Sequence, residues 1–148
     1  MKRLLMTTVA LSAMLAASSA LADSIKVGFM ATLEGTYTVL GEDGQRGFQV
    51  AMKQAGYKAG GKDLEVVVAP TDASPESALR AVRKLVEQDK VDLVIGPLSG
   101  SEGIALRDYA KTQPQVTIIN GISGAQETTF VDPAPNFFRF NMDGAQWG

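Results

Sequence analysis

Short apolar runs with the period of a strand alternate with amphipathic segments of helical period through most of the chain. In "SIKVGFMATL", apolar residues occupy alternate positions from Ile25 to Phe29 with small or apolar residues between them, so this run predicts a strand covered on both faces. In "GEDGQRGFQVAMKQAGY", apolar residues recur at i, i+3, i+4 and i+7, which predicts a helix. Asp43 is a candidate N-cap of this helix, and Gly56 is placed to end it in the left-handed conformation.

The same alternation continues toward the C-terminus. "DLEVVVAP" predicts a second strand, and the next segment predicts a helix with Ser74 at the N-cap and Pro75 at the first helical position. A third strand, a helix and a fourth strand follow in "VDLVIG", "SEGIALRDYAK" and "QVTIIN". The chain is then irregular, with one helical turn expected near Ala125, before "FFRFN" predicts a fifth strand.

Strands separated by helices of this length predict an α/β fold with a doubly wound parallel sheet, because right-handed crossovers carry the chain over the faces of the sheet. The expected strand order is 2-1-3-4-5. In that order the direction of winding reverses between the first and third strands, so a crevice opens at their carboxyl ends. The loops expected at this crevice are residues 33–44, 96–103 and 120–124.

The N-terminus has the pattern of a secretory signal peptide. Lys2 and Arg3 precede an uncharged apolar run, residues 4–17, that is too short to span a bilayer, and the small-residue sequence "ALA" follows it. Residues 1–22 are therefore expected to be the signal peptide, with Asp23 as the first residue of the mature chain. We expect an exported protein.

Composition excludes several classes of function. Residues 1–22 hold two of the 14 basic residues and none of the 16 acidic residues, so the mature chain has 12 basic and 16 acidic residues and a net charge of −4. Such a chain lacks the excess of Lys and Arg that neutralises nucleic-acid phosphates, so no nucleic-acid partner is expected. The sequence contains no cysteine and no histidine, which removes thiol nucleophiles, the Ser-His-Asp triad and most zinc sites.

The loop after the third predicted strand, "GPLSGSEG", joins hydroxyl groups to the start of a helix. Ser99, Ser101 and the first backbone N–H groups of that helix could bind a carboxylate, and Gly100 would permit a close approach of the ligand. The same serines also suit an ordinary N-cap, which the local pattern alone favours. The two interpretations are compatible, because one serine can cap the helix while the other faces a ligand.

Two further loops offer ligand contacts at the same crevice. "NGISG" supplies Ile122 as an apolar wall and Ser123 as a hydroxyl, with Gly124 permitting unusual backbone angles, although a flexible exit from the strand is an equal alternative. In the first loop, Leu40 and Tyr37 could cover an apolar ligand body, although an exposed tyrosine needs no ligand. No loop matches a P-loop or a dinucleotide fingerprint, so neither a nucleotide cofactor nor a metal is expected.

An enzyme on this sheet would depend on carboxylates for acid–base chemistry, and the candidates at the crevice are Glu34, Glu42, Asp43 and Glu102. Acidic residues at the start of a helix more often complement the positive end of the helix dipole. We therefore expect a binding protein and not an enzyme.

Together these segments resemble the periplasmic substrate-binding proteins of ABC transporters, branched-chain amino acid type, which have the type I periplasmic-binding fold. The resemblance spans nearly all of the mature chain and rests on the ordered series of a signal peptide, the glycine spacing into the first helix, "DLVIGP" and the aromatic strand "NFFRF". It implies two α/β lobes joined by crossover segments, with ligand held in the cleft between them. Residues 23–141 would form the first lobe and residues 142–148 would begin the crossover to a missing second lobe, so the chain would be an N-terminal fragment.

The resemblance also implies site residues. In such proteins the loops after the third and fourth strands of the first lobe bind the ligand carboxylate, and the matching positions here are Ser99, Gly100, Ser101, Ile122, Ser123 and Gly124, with Leu40 where the first loop reaches the cleft. Gly100 stands where amino-acid binders often have a hydroxyl, and the apolar Leu40 and Ile122 would suit a flat aromatic acid. The expected ligand is therefore a small carboxylate-bearing solute, either a branched-chain or related amino acid or an aromatic acid.

The implied function is capture of this solute by a monomer for delivery to the membrane permease of an ABC importer. The alternative is the ligand-sensing ectodomain of a receptor, because receptors use the same fold and couple it to a transmembrane segment. A transmembrane segment in the continuation of the reading frame would favour the receptor.

Overall fold

A computed structural model describes residues 24–147 and places them in a six-stranded sheet flanked by helices. The predicted signal peptide lies outside the described residues. Among the helices of the described range, none combines the length and the apolar character that crossing a bilayer requires. The elements in chain order are β1 (Ile25–Thr32), α1 (Thr38–Gln54), β2 (Lys58–Ala59), β3 (Lys62–Thr71), α2 (Pro75–Arg83), a π-helical turn (Lys84–Gln88), β4 (Leu93–Ile95), α3 (Gly100–Thr112), β5 (Thr117–Asn120), a 3₁₀ turn (Gln126–Thr128) and β6 (Phe137–Arg139).

The sheet has the strand order β2-β3-β1-β4-β5-β6. All neighbours from β3 to β6 pair in parallel, and β2 pairs antiparallel with β3. The five predicted strands are β1, β3, β4, β5 and β6, so the α/β class, the parallel doubly wound sheet and the order 2-1-3-4-5 are confirmed. The short strand β2 was not predicted. It forms a hairpin with β3 because Gly60 and Gly61 adopt φ values of +57° and +80°, which permit a tight turn.

Helices cover β1 from both sides, as the alternating pattern predicted. Successive side chains of a strand point to opposite faces of the sheet. The ring of Phe29 stacks on Phe48 of α1, with centroids 4.2 Å apart. On the opposite face, the α-carbon of Gly28 approaches Leu85 so closely that a Cβ there would lie 3.0 Å from its side chain. Therefore α1 lies on one face of the sheet, and the segment that follows α2 lies on the other.

The main hydrophobic core lies between the sheet and the layer formed by α2, the π-helical turn and α3. Its fully buried members include Val82, Leu85, Val94, Leu106 and Ile118. Ser74 caps α2 by accepting a hydrogen bond from the Ser77 N–H at 3.2 Å, and Pro75 is the first helical residue, both as predicted. The core thus anchors α3, which begins at the predicted crevice.

The first helix begins earlier than the sequence pattern indicated. It starts at Thr38, so Asp43 is not its N-cap but lies inside the helix and pairs with Arg46. The helix begins close to the end of β1 because Gly41 has no side chain to separate the two elements. Gly56 follows the helix with φ +62°, as expected for its left-handed C-terminal residue.

Candidate functional site

A cavity of about 90 Å³ lies at the carboxyl ends of β1 and β4, where the sheet topology predicted a crevice. Its lining is almost entirely apolar, and it includes Leu40 and Ile122 from the predicted site. Both of these side chains are about half exposed, so they form the open side of the cavity. The lining residues are Phe29, Met30, Ala31, Thr32, Leu40, Gly41, Gly44, Ile95, Gly96, Pro97, Leu98, Gly121 and Ile122.

Two glycines let the backbone close around this cavity. A Cβ on Gly41 would lie 2.5 Å from the carbonyl carbon of Thr32 and closer still to its oxygen. Gly96 has φ +132°, and a Cβ there would lie 2.8 Å from the Cβ of Met30. Side chains cannot be accommodated at either position without moving backbone, so these glycines fix the distance between α1, β1 and the loop after β4.

Beside the cavity, Ser99 caps the N-terminus of α3. Its hydroxyl accepts a hydrogen bond from the Glu102 N–H at 3.2 Å, and the Glu102 carboxylate accepts one from the Ser99 N–H at 2.9 Å. These two bonds form a capping box. The Ser99 hydroxyl also donates to the Ala73 carbonyl at 2.9 Å. The capping interpretation of Ser99 is thus confirmed, and its hydroxyl is already engaged within the protein.

The first turn of α3 keeps donors that the cap does not use. Gly100 and Ser101 are the first two helical residues, and their N–H groups have no acceptor within the helix. The Ser101 side chain is exposed, with its hydroxyl 3.2 Å from that of Ser99 and 3.4 Å from the Ala73 carbonyl. Because the helix dipole adds positive potential at this end, these groups can bind an anion.

The loop after β5 lies against the same helix end. A Cβ on Gly100 would be 3.6 Å from the Cβ of Ala125, so this loop passes close to the first residue of α3. Ile122 lines the cavity, but Ser123 is fully buried, and its hydroxyl points at Gly103 of α3. The structure therefore brings Leu40, Gly100, Ser101 and Ile122 to the crevice, and it places the Ser123 hydroxyl behind it. Ser123 therefore packs behind the cavity and does not line it.

The loop after β3 also belongs to this site, which the sequence pattern did not indicate. Ala73 lies in this loop with φ +70°, an uncommon conformation for a residue with a Cβ. Its carbonyl accepts from Ser99 and lies beside Ser101. The sequence feature that could have indicated this loop is the turn-like "TDASP", which is equally typical of an ordinary helix start.

Asp72 in this loop is expected to make the stability of the folded protein depend on pH, because hydrogen bonds within the loop favour its ionised form. The Ser74 and Ser77 hydroxyls, together with the Ser74 N–H, which donates to Asp72 Oδ1 at 2.9 Å, lower the pKa of Asp72 to about 2. Because folding lowers this pKa, the ionised Asp72 side chain stabilises the folded state fully above about pH 4. This stabilisation is lost as the pH falls through about 2. We expect Asp72→Asn to be less stable than the wild type near neutral pH and to equal it near pH 2 in urea titrations. A difference that does not change with pH would contradict this assignment.

The candidate acid–base residues Glu34, Glu42, Asp43 and Glu102 are not among the residues that line the cavity. No acidic side chain is among the residues that line it, and no group of three or more His, Cys, Asp or Glu within residues 24–147 is placed to hold a metal ion. Glu42 and Asp43, considered above as acid–base candidates, lie on α1 and form ion pairs with Arg46. The site therefore has the chemistry of an anion-binding helix end beside an apolar surface.

Comparison with known proteins agrees with this geometry. Residues 24–148 match the family of periplasmic binding proteins. Because the match covers most of the sequence, the chain belongs to the periplasmic binding protein family. A comparison with curated proteins found no match.

Several solved structures share this fold. An ABC transporter substrate-binding protein from Sphaerobacter thermophilus is 31% identical, with a TM-score of 0.77 over 84% of this chain and 34% of its own. A solute-binding protein of an ABC transporter from R. palustris, in complex with benzoate, is 29% identical, with a TM-score of 0.77 over 83% of this chain and 34% of its own. A branched-chain amino acid transporter substrate-binding protein from Streptococcus pneumoniae, in complex with isoleucine, is 26% identical, with a TM-score of 0.72 over 81% of this chain and 34% of its own. The chain spans about a third of the length of these proteins.

Proposed function

We propose that this chain is the first lobe of a periplasmic solute-binding protein, which captures a small carboxylate-bearing solute and delivers it to the permease of an ABC importer. One observation carries the proposal: unused N–H donors at the start of α3 lie beside an apolar cavity, and no acidic residue lines that cavity among the described residues. The donors suit a carboxylate, and the cavity suits an apolar body.

The two ligands named for the similar structures, benzoate and isoleucine, share these two features. Leu40 and Ile122 would contact the apolar body, and the N–H groups of Gly100 and Ser101 would contact the carboxylate. An amino acid also carries an ammonium group that requires an acceptor when it is buried. No acid lines the cavity among the residues that the structure describes, so for an amino acid that acceptor would have to come from elsewhere in the protein.

The proposal includes a second lobe. Residues 23–141 would form the first lobe, and residues 142–148 would begin the crossover, in keeping with solved relatives of whose length this chain covers about a third. The cavity of about 90 Å³ is open to solvent on the side of Leu40 and Ile122. Closure of a second lobe over this side would bury the ligand, as high affinity for a small solute requires.

A thermal-shift screen of the full-length protein tests the function. Benzoate, 4-hydroxybenzoate, leucine and isoleucine are each matched with the corresponding primary amide, which keeps the apolar body and lacks the carboxylate. Ligand at 100 times its Kd stabilises the native state by about 2.7 kcal/mol, so at least one acid should raise the melting temperature clearly. Its amide partner should not. An equal shift with both partners, or no shift with any acid, would contradict the proposal.

A further inference from the structure

Helix α1 brings two glycines to the cavity, and the two differ in what surrounds them. Gly41 and Gly44 both line the cavity. A Cβ on Gly41 would overlap the backbone of Thr32, so the fold requires glycine at that position. Beyond its chain neighbours and the backbone of its own helix, a Cβ on Gly44 would meet a single atom of the described residues within 4 Å. That atom is Cδ1 of Ile122, at 3.8 Å, an ordinary van der Waals contact. The packing of the lobe therefore does not require glycine at position 44.

The backbone conformation does not require glycine at position 44 either. Gly44 lies within α1 and is not among the glycines with positive φ. Glycine in the interior of a helix is less favourable than alanine, because it loses more backbone freedom on folding. Gly44 therefore weakens α1 without relieving strain or permitting a close approach. What its missing side chain provides is the empty space beside it.

This space belongs to the open side of the cavity. Leu40 precedes Gly44 by four residues, so the two lie on the same face of α1. Leu40 and Ile122 are the half-exposed side chains that form the open side. Apolar carbon atoms in contact lie about 3.5–4.0 Å apart. A methyl group on residue 44, at 3.8 Å from Ile122, would therefore join α1 to the loop after β5 and occupy the space beside Ile122.

We propose that Gly44 is a specificity-determining residue, whose missing side chain sets the size of the apolar body that the cavity accepts beside Ile122. This assignment rests on the proposed function. Gly44 lies on α1, whereas the proposed carboxylate donors, the N–H groups of Gly100 and Ser101, lie on α3. A side chain at position 44 should therefore change how the protein distinguishes acids by size, and leave its preference for an acid over the corresponding amide.

The test is a calorimetric titration of the full-length wild type and Gly44→Ala variant with two pairs of acids, benzoate with 4-hydroxybenzoate and valine with isoleucine. One methylene group more in an apolar pocket changes discrimination about tenfold or more, so the Kd of the acids that bind should rise at least about tenfold. The rise should be greater for the larger acid of the pair. The melting temperature of the unliganded variant should increase, because alanine favours the helix.

Gly47→Ala is the matched control. Gly47 lies in the same helix, does not line the cavity, and a Cβ there would meet no atom within 4 Å. This variant should show a similar increase in melting temperature, and its Kd for each acid should equal that of the wild type. The control separates the effect of helix propensity from the effect of filling the cavity.

The outcomes separate the two proposals. If the wild type binds an acid and Gly44→Ala binds it with a Kd that is lower or within twofold, the specificity role is wrong and the proposed function stands. Equal rises for both acids of a pair, or a lower melting temperature of unliganded Gly44→Ala, would likewise overturn the specificity role. If the wild type binds none of the acids, the proposed function fails and the specificity role fails with it.

Discussion

Replacing Gly41 with alanine is expected to destabilise the protein by at least about 3 kcal/mol, because a side chain there would overlap backbone and not a movable side chain. The added Cβ would lie 2.5 Å from the Thr32 carbonyl carbon and 2.9 Å from its Cα. Thr32 is the last residue of β1, which is paired with strands on both sides. Relief of the overlap must therefore move the start of α1 outward, which also displaces the neighbouring Leu40 from the cavity.

Gly47→Ala is the matched control for this variant. Gly47 lies in the same helix, and a Cβ at that position would meet no atom within 4 Å. Alanine has the higher helix propensity, so this substitution should stabilise the protein by about 0.5–1 kcal/mol. Urea denaturation followed by circular dichroism measures both changes. If Gly41→Ala and Gly47→Ala were equally stable, the close approach of α1 to β1 would be wrong.

Replacing Gly103 with alanine is expected to cost about 2 kcal/mol, because the new methyl group would collide with Ser123. The Cβ would lie 3.0 Å from the Ser123 Cβ and closer still to its hydroxyl oxygen. Both residues are buried, and the loop of Ser123 is held by the Asn120 amide. The collision should therefore push the loop from α3 and weaken ligand binding as well.

A double-mutant cycle identifies the collision as the cause. Ser123→Ala alone should be nearly neutral, because the buried hydroxyl has no hydrogen-bond partner to lose among the described residues. In the double variant the hydroxyl is gone, so Gly103→Ala should cost at least about 1 kcal/mol less than it does in the wild type. Gly100→Ala, whose Cβ would only touch Ala125 at 3.6 Å, is the stability control. Additive effects of Gly103→Ala and Ser123→Ala would contradict the packing described.

Sequence periodicity was sufficient to predict the parallel sheet, because each strand and helix carries its own pattern of buried positions. The covered strand β1 and the cap at Ser74 are local features, and both are confirmed. The start of α1 was not predictable in this way. It depends on the contact between Gly41 and Thr32, and a glycine in the sequence does not reveal which backbone approaches it. The hairpin strand β2 is two residues long, too short to show any period.

The candidate site was predictable in its location and less so in its details. Strand order alone places the loops of Leu40, Ser101 and Ile122 at one crevice. The burial of Ser123 depends on Gly103, which lies on a different element, so no local pattern could separate a ligand hydroxyl from a packed one. The role of Ala73 likewise arises from contacts between loops that are distant in sequence.

A crystal structure of the full-length protein with the acid that binds in the thermal-shift screen tests the central claim most directly. We expect the ligand carboxylate within hydrogen-bonding distance of the N–H groups of Gly100 and Ser101, with the ligand's apolar body against Leu40 and Ile122. A carboxylate bound away from the N-terminus of α3, or an apolar body outside this cavity, would contradict the site described for this lobe.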